Sequence, residues 1–78
     1  MKIGEVMGSV WATRKAESLM GQTFLVVRCG QEELVAADQV GAGKGDQVLL
    51  VTGTVASRVC MESPVDAAVV AIVDREKK

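Results

Sequence analysis

The sequence predicts an all-β fold, a small five-stranded OB-like β-barrel with a short turn or helical element before the last strand. Five short apolar runs are separated by glycine, proline or polar residues, which is the spacing of strands and turns. Hydrophobic residues make up 49% of the chain but aromatic residues only 3%, so valine, alanine, leucine and methionine dominate. Valine favours strands because its branched side chain fits a pleated surface.

The chain is short enough to be one domain. Its 78 residues are predicted to form a single domain over 1–78, with a charged, flexible tail over 75–78. A chain of this size buries only about 60–65% of its unfolded surface, so its own core supplies a few kcal/mol of net stability. Such chains often gain support from disulfides, metals or oligomerisation.

The strands are assigned from the apolar runs. The predicted strands are Lys2–Trp11, Thr23–Cys29, Glu33–Ala37, Val48–Thr52 and Asp66–Asp74. The first contains Gly4 and Gly8, where a strand bends sharply or is approached closely, as a small closed barrel requires. The second and third should form a tight antiparallel hairpin, because the turn at Gly30 is too short for a crossover.

The connecting segments are less regular. Residues 12–22 read as a loop, in which Thr13–Glu17 has the composition of one helical turn. Thr54–Arg58 fits a turn or a single helical turn with Thr54 as its cap. The fifth strand has no polar face, so we expect it to be buried on both sides, one of them an intersubunit surface.

A glycine-rich loop between the third and fourth strands raises the question of phosphate binding. The loop runs from Asp38 to Asp46 and carries Gly41, Gly43 and Gly45. A P-loop fails because Lys44 is followed by glycine instead of serine or threonine, and because Asp38 occupies the position of the leading glycine. A dinucleotide fingerprint fails because a strand, not a helix N-terminus, follows the loop. A tight structural loop is the better interpretation.

The composition disfavours several classes of partner. Nine basic residues against ten acidic ones give a net charge of −1 without a basic stripe, whereas nucleic-acid binding needs clustered Lys and Arg. No apolar run approaches a membrane span, and the N-terminus lacks the core of a signal peptide, so the expected location is the cytoplasm. Cys29 and Cys60, without any histidine, do not make a zinc site; two reduced cysteines are the expectation, and a disulfide between them stays open if the strands place them together.

Catalytic candidates are few. The carboxylates at strand edges are Asp38, Asp46, Asp66 and Asp74, and capping a turn is a more common role there than catalysis. With no histidine or tyrosine the common general bases are depleted, and Ser57 and Ser63 lack a histidine to activate them. We therefore predict no enzyme, no cofactor and no metal. Trp11 is expected to be a barrel plug or an interface anchor.

Several stretches in order resemble a known family over nearly the whole chain. They begin with Gly8-x-x-Trp11-Ala12-Thr13-x-Lys15, Leu19-x-Gly21 and Phe24-Leu25-Val26-Val27. The most specific are Val35-Ala36-Ala37-Asp38-Gln39-Val40-Gly41-Ala42-Gly43-x-Gly45-Asp46-x-Val48-Leu49 and Pro64-Val65-Asp66-Ala67-Ala68-Val69-Val70-Ala71-Ile72-Val73-Asp74. The chain resembles the bacterial microcompartment vertex proteins, the EutN/CcmL family of ethanolamine-utilisation shells and carboxysomes.

The resemblance implies a structural shell protein. It implies an OB-like barrel that forms a cyclic pentamer, caps the vertices of a polyhedral shell and meets hexameric facet proteins, with no catalytic residues. The ring would be located in a microcompartment shell of the cytoplasm. Our candidates for the oligomer interface or a structural loop are Arg14, Lys15, Asp38, Gly41, Gly43, Gly45 and Asp66.

The chain departs from the family pattern in places. Where the family commonly shows Gly-Ser-x-Ala-Arg, this chain has serine at position 57 and arginine one place later, at Arg58. The turn at Gly30 is shorter than in many relatives. The sequence also stops soon after Asp74, where many relatives continue; if that further segment supports neighbouring subunits in them, the ring formed here would be less stable or close differently. An OB-like module for single-stranded nucleic acid or a small ligand stays the alternative.

Overall fold

The computed structural model describes residues 1–74 and shows a closed all-β barrel, as the sequence predicts. The predicted tail at 75–78 lies outside the described residues. The elements in chain order are β1 (Lys2–Val10), a 3-10 turn (Glu17–Leu19), β2 (Phe24–Cys29), β3 (Glu32–Asp38), β4 (Gln47–Thr52), α1 (Thr54–Val59) and β5 (Ala67–Ile72). The helical turn near the start of the chain therefore falls at Glu17–Leu19, later than Thr13–Glu17.

The strands close in the order β1-β2-β3-β5-β4. The β2–β3 hairpin is antiparallel, in register from Phe24 opposite Ala37 to Cys29 opposite Glu32, as the short turn predicts. The barrel closes where β3 meets β5, in the one parallel pairing among the described strands. This seam is short: its registered pairs are Ala37 with Ala68 and Asp38 with Val69.

β1 pairs with a different strand on each of its two sides, β4 and β2. Its first half pairs with β4, from Lys2 to Glu5, and its longer course pairs with β2, from Glu5 to Val10. The pairing with β2 shifts between Val6 and Gly8, which is a β-bulge. A bulge adds a residue to one strand and increases its bend, so β1 can curve from its pairing with β4 into its pairing with β2.

The barrel interior is filled by small branched side chains. Leu50, Val6, Val27, Val48 and Val69 are its largest fully buried members. Successive strand residues point to opposite faces, so the alternate residues of the same strands point outward. With few aromatic residues, close packing here depends on valine and alanine, which suit a narrow interior.

A second apolar cluster lies outside the barrel wall, beneath α1. It contains Ala37, Val51, Ala56, Cys60 and Ala68, all buried. The small side chains let the short helix approach the sheet closely. This cluster accounts for the apolar outward residues that β3, β4 and β5 place beneath the helix, namely Ala37, Val51 and Ala68.

The cap predicted for the helical segment is wrong. Thr54 is the first helical residue, and the N-cap is Gly53, with φ 78° and ψ −155° and no side-chain cap hydrogen bond. Glycine adopts this region because it has no Cβ. The Gly53 amide donates to the Asp66 carbonyl oxygen at 2.8 Å, so the chain entering the helix is tied to the start of β5.

The last strand is buried within the subunit mainly over its first half, and burial of its remaining outer side by a neighbouring subunit stays a prediction. β5 is shorter than Asp66–Asp74, and its burial falls from its first three residues toward Ile72, which is 47% exposed. The first half lies under α1 and in the core, whereas Val70 is only partly buried against the cluster beneath α1 and Ile72 is exposed.

Candidate assembly surface

The glycine loop is organised around a single carboxylate. Asp38 Oδ1 accepts hydrogen bonds from the amides of Val40, Gly41 and Ala42 at 3.1, 3.1 and 3.3 Å. Asp38 occupies the position at which a P-loop would need glycine. The amides that would cradle a phosphate therefore already donate hydrogen bonds to a carboxylate of the chain itself. This carboxylate takes the place that an anionic ligand would occupy.

A second carboxylate holds the other end of the loop. Asp46 Oδ2 accepts a hydrogen bond from the Gly43 amide at 2.8 Å. The Gly45 amide donates to the Val6 carbonyl oxygen at 2.8 Å, and the Val6 amide donates to the Asp46 carbonyl oxygen at 2.9 Å. The loop is thus fastened to β1 next to its bulge.

The glycines of this loop serve the backbone conformation within the subunit. Gly41 and Gly45 have φ of 80° and 92°, a region that disfavours residues with a Cβ. Gly43 has no positive φ. A Cβ at Gly41 would meet nothing within 4 Å, and one at Gly43 would meet only Asp46 Oδ2 at 4.0 Å. Within residues 1–74 no atom other than those of the adjacent residues lies within 4 Å of the position that a Cβ would take at Gly41 or Gly45, and an approach by a neighbouring subunit stays a prediction.

The other candidate residues lie apart from this loop. Arg14 and Lys15 are exposed on the segment that follows β1, and Lys15 lines a small cavity with Trp11 and Phe24. Asp66 is exposed at the start of β5. Within residues 1–74 the side chains of these three candidates make no hydrogen bond or ion pair with the glycine loop. Their role at an interface stays a prediction.

Trp11 is not a barrel plug, because it is 94% exposed. It comes directly after β1 ends at Val10, beyond the last residue paired with β2, so no facing strand covers it. An exposed tryptophan of this kind is a common anchor at protein interfaces. Of the two roles predicted for it, only the interface anchor is compatible with this position.

A polar cluster that the sequence did not indicate ties two loops together. The Ser63 hydroxyl accepts a hydrogen bond from Gln22 Nε2 and donates to the Ser18 carbonyl oxygen at 3.3 Å, while Ser57 Oγ donates to the Ser63 carbonyl oxygen at 2.7 Å. The cluster joins the segment before β2 to the segment after α1. Ser57 and Ser63 therefore hold the backbone together, and they were visible in the sequence only as isolated serines.

The two cysteines are free, in separate surroundings. Cys60 is buried in the cluster beneath α1, and burial raises the pKa of its thiol above the ordinary value of 9.0. Cys29 is partly buried at the end of β2. Among residues 1–74 no group of three or more His, Cys, Asp or Glu is placed to hold a metal ion.

Fold and surface define a class of protein. The chain is a small closed barrel with one short helix, a glycine loop bound to its own carboxylates, and several large apolar side chains on its outside. A family model described as ethanolamine utilisation protein EutN/carboxysome matches residues 1–74. The chain belongs to this EutN/CcmL family, as its motifs indicate.

Characterised relatives are similar over most of their length. The chain is 48% identical to the carboxysome shell vertex protein CcmL of Synechococcus elongatus, covering 95% of this chain and 84% of the relative. It is 42% identical to the bacterial microcompartment shell vertex protein GrpN of Rhodospirillum rubrum, covering 95% of this chain and 93% of that one.

Solved structures show the same fold. The pentameric microcompartment shell protein GrpN from Rhodospirillum rubrum matches with a TM-score of 0.86 and 39% identity, covering 100% of both chains. CcmL from Nostoc sp. matches with a TM-score of 0.87 and 40% identity, covering 95% of this chain and 89% of that chain.

Proposed function

We propose that this chain is a structural shell protein of a bacterial microcompartment, which forms a cyclic pentamer and caps the vertices of the shell. The observation that carries the proposal is the likeness to the pentameric shell protein GrpN over the full length of both chains. At 39% identity with a TM-score of 0.86, the backbone that builds that ring is present here.

The surface of the isolated subunit carries large apolar side chains that no other part of the described chain covers. Val35, Ile3 and Ile72 are each about half exposed although they lie on strands of a small barrel. Large apolar side chains left exposed on the strands of a small barrel suit contacts with other subunits. In a ring, each subunit covers such side chains with a different face of its neighbour.

The proposed role is structural and not catalytic. The relatives are named as shell vertex proteins, and the glycine loop uses its amides on Asp38 and Asp46. Hexameric facet proteins are the proposed partners at the vertex, and the proposed location is a shell in the cytoplasm. We propose neither nucleic acid nor a membrane as a partner. No helix in residues 1–74 is long and apolar enough to cross a membrane.

The first test is the mass of the purified chain by native mass spectrometry and light scattering. We expect a species of five subunits that persists on dilution. A monomer that binds single-stranded oligonucleotides in a salt-dependent way would overturn the proposal in favour of the OB-like binding module. A ring of another size would overturn the pentamer.

The second test addresses the vertex. Facet proteins of the same host would be assembled with and without this chain and imaged by electron microscopy. We expect closed polyhedra only when the chain is present, and labelled chain at their corners. Closed shells of the same shape without the chain, or label spread over the facets, would contradict a vertex role.

A further inference from the structure

The outside of the barrel carries two separate apolar strips. The hairpin strip consists of Val10, Phe24, Val26 and Val35 on β1, β2 and β3. The β4 strip consists of Ile3, Leu49 and Ala71 on β1, β4 and β5. All of these side chains are exposed or only partly buried.

The register of the sheet places the residues of each strip side by side. Val26 is directly opposite Val35, and Val10 is directly opposite Phe24. Directly opposite residues share a face of the sheet, and Val26 lies between the inward Leu25 and Val27, so this face is the outside.

The same reasoning defines the β4 strip. Leu49 is directly opposite Ile3 on one side and Ala71 on the other. Leu49 lies between the inward Val48 and Leu50, so the three side chains face outward together.

A polar belt separates the two strips. Glu5 is directly opposite Arg28 and Gln47, and Arg28 is directly opposite Glu33. Arg28 and Glu33 form an ion pair at 3.0 Å, with both side chains about half exposed. The belt crosses four strands at one level of the barrel, so the strips are two distinct surfaces and not one continuous patch.

We infer that the hairpin strip of one subunit packs against the β4 strip of the next copy of this chain. This inference rests on the proposed ring, whose contacts join two unlike surfaces of each subunit. A single two-fold contact would use one strip twice and leave the other uncovered. The strips contain no charged side chain, which suits the apolar centre of a protein interface and not a charged partner.

The areas are compatible with this assignment. A specific interface takes about 800 Å² from each partner, so two such faces would cover roughly 30% of the subunit's accessible surface. That surface is 5431 Å². The belt would form a polar rim beside each contact, and Trp11, directly after Val10, would extend the hairpin strip at its edge.

The test begins with one charge in each strip. Val35→Glu and Ile3→Glu place a carboxylate in the hairpin strip and the β4 strip, at side chains that are 54% and 46% exposed. Val55→Glu is the matched control, because Val55 is also 54% exposed but lies on α1, outside both strips. By native mass spectrometry we expect the parent and the control to remain rings and each strip variant to become a monomer. Rings from both strip variants would overturn the inference.

Mixing the two strip variants decides how the strips pair. The Val35→Glu chain keeps an intact β4 strip and the Ile3→Glu chain keeps an intact hairpin strip. If unlike strips pair, the mixture gives a one-to-one heterodimer that grows no further, while each variant alone stays monomeric. Homodimers of either variant alone would show that like strips pair, which overturns the inference.

A measurement without a charged substitution guards against misfolding. The parent chain with p-benzoylphenylalanine in place of Val35 would be irradiated, and the crosslinked peptides identified by mass spectrometry. We expect crosslinks between copies to peptides containing Ile3 or Leu49, and crosslinks only to the hairpin of another copy would overturn the pairing. A parent that is not five-membered defeats the proposed function, whereas the crosslinked positions still decide the pairing of the strips.

Discussion

Gly4 is the position in this barrel where a single methyl group should matter most. It is buried in β1, and a Cβ built there would lie 2.6 Å from Val27 Cγ1, 2.8 Å from the Arg28 carbonyl oxygen and 2.8 Å from Cys29 Sγ. Distances below 3.0 Å require a neighbour to move. The Cys29 thiol can rotate, but the carbonyl oxygen belongs to the β1–β2 ladder and Val27 is fully buried.

The expected cost of Gly4→Ala follows from two opposing effects. Overpacking a well-packed site costs about 1–3 kcal/mol. Replacing glycine by alanine also restricts the unfolded chain, which returns about 0.4–1 kcal/mol. The net loss of unfolding free energy should therefore be about 1–2 kcal/mol. For a domain of this size that lowers the Tm by about 5–15 °C.

The assay is thermal and urea unfolding followed by circular dichroism, since the only tryptophan is largely exposed and reports poorly on the core. Gly8→Ala in the same strand is the matched control, because a Cβ there meets nothing within 4 Å, and it should be neutral or slightly stabilising. Both variants must be compared at one protein concentration, because oligomer stability depends on concentration. A Gly4→Ala protein as stable as Gly8→Ala would refute the reasoning.

Three further predictions concern the loop, the helix entry and the buried thiol. Asp38→Ala removes the acceptor of three loop amides and should cost about 2 kcal/mol in urea unfolding. Gly53→Ala forces a Cβ into a region that is almost exclusive to glycine and should cost about 1–3 kcal/mol in thermal unfolding. Cys60 should react with iodoacetamide far more slowly than the same thiol in unfolded protein, because burial raises its pKa and blocks access. Since the raised pKa belongs to the folded state, the stability linked to this proton is present below the unfolded thiol's pKa and falls as pH rises through the folded value.

Each of these has its own control. Asp38→Asn keeps an acceptor oxygen and should retain part of the lost stability, so an equal loss in both variants would mean that the amide hydrogen bonds are not the cause. For the helix entry, unchanged stability of Gly53→Ala would show that the backbone relaxes. For the thiol, equal labelling rates in native and denatured protein at pH 8 would contradict burial, with Cys60→Ser identifying the labelled site.

The β2–β3 hairpin could be predicted because its signals are local. Two apolar runs joined by a two-residue turn pair as an antiparallel hairpin, and the turn sets the register of the pairing. The parallel seam between β3 and β5 could not be predicted in this way. It joins Ala37 to Ala68 across an intervening strand and helix, and nothing in either segment specifies the other.

The helix and its cap show the limit of short-range rules. Thr54 is a common N-cap residue type, which favoured it over glycine. The structure selects Gly53 because the amide of this residue must reach the Asp66 carbonyl oxygen, a contact with β5 that is invisible in the local sequence.

More of the glycine loop than of the two apolar strips could be predicted from the sequence. A tight structural loop follows from the glycine spacing, but the spacing does not show that Gly41 and Gly45 take positive φ while Gly43 does not, and the hydrogen bonds that Asp38 makes depend on the folded loop. The two apolar strips required the register of the whole barrel. In the sequence Ile3 and Val35 are ordinary strand residues, and only their pairing with Leu49 and Val26 places them on the outside of the barrel.

In the proposed ring, the bulge in β1 would also affect how each subunit is oriented toward its two neighbours. Ile3 lies on one side of the bulge and Val10 on the other, so the bend of β1 contributes to the angle between the β4 strip and the hairpin strip. Met7 is the additional residue, and removing it keeps Val6 inward and Gly8 outward while straightening the strand. Such a deletion would keep the side chains of both strips and change the angle between them, so in the proposed ring we expect it to alter how the ring closes.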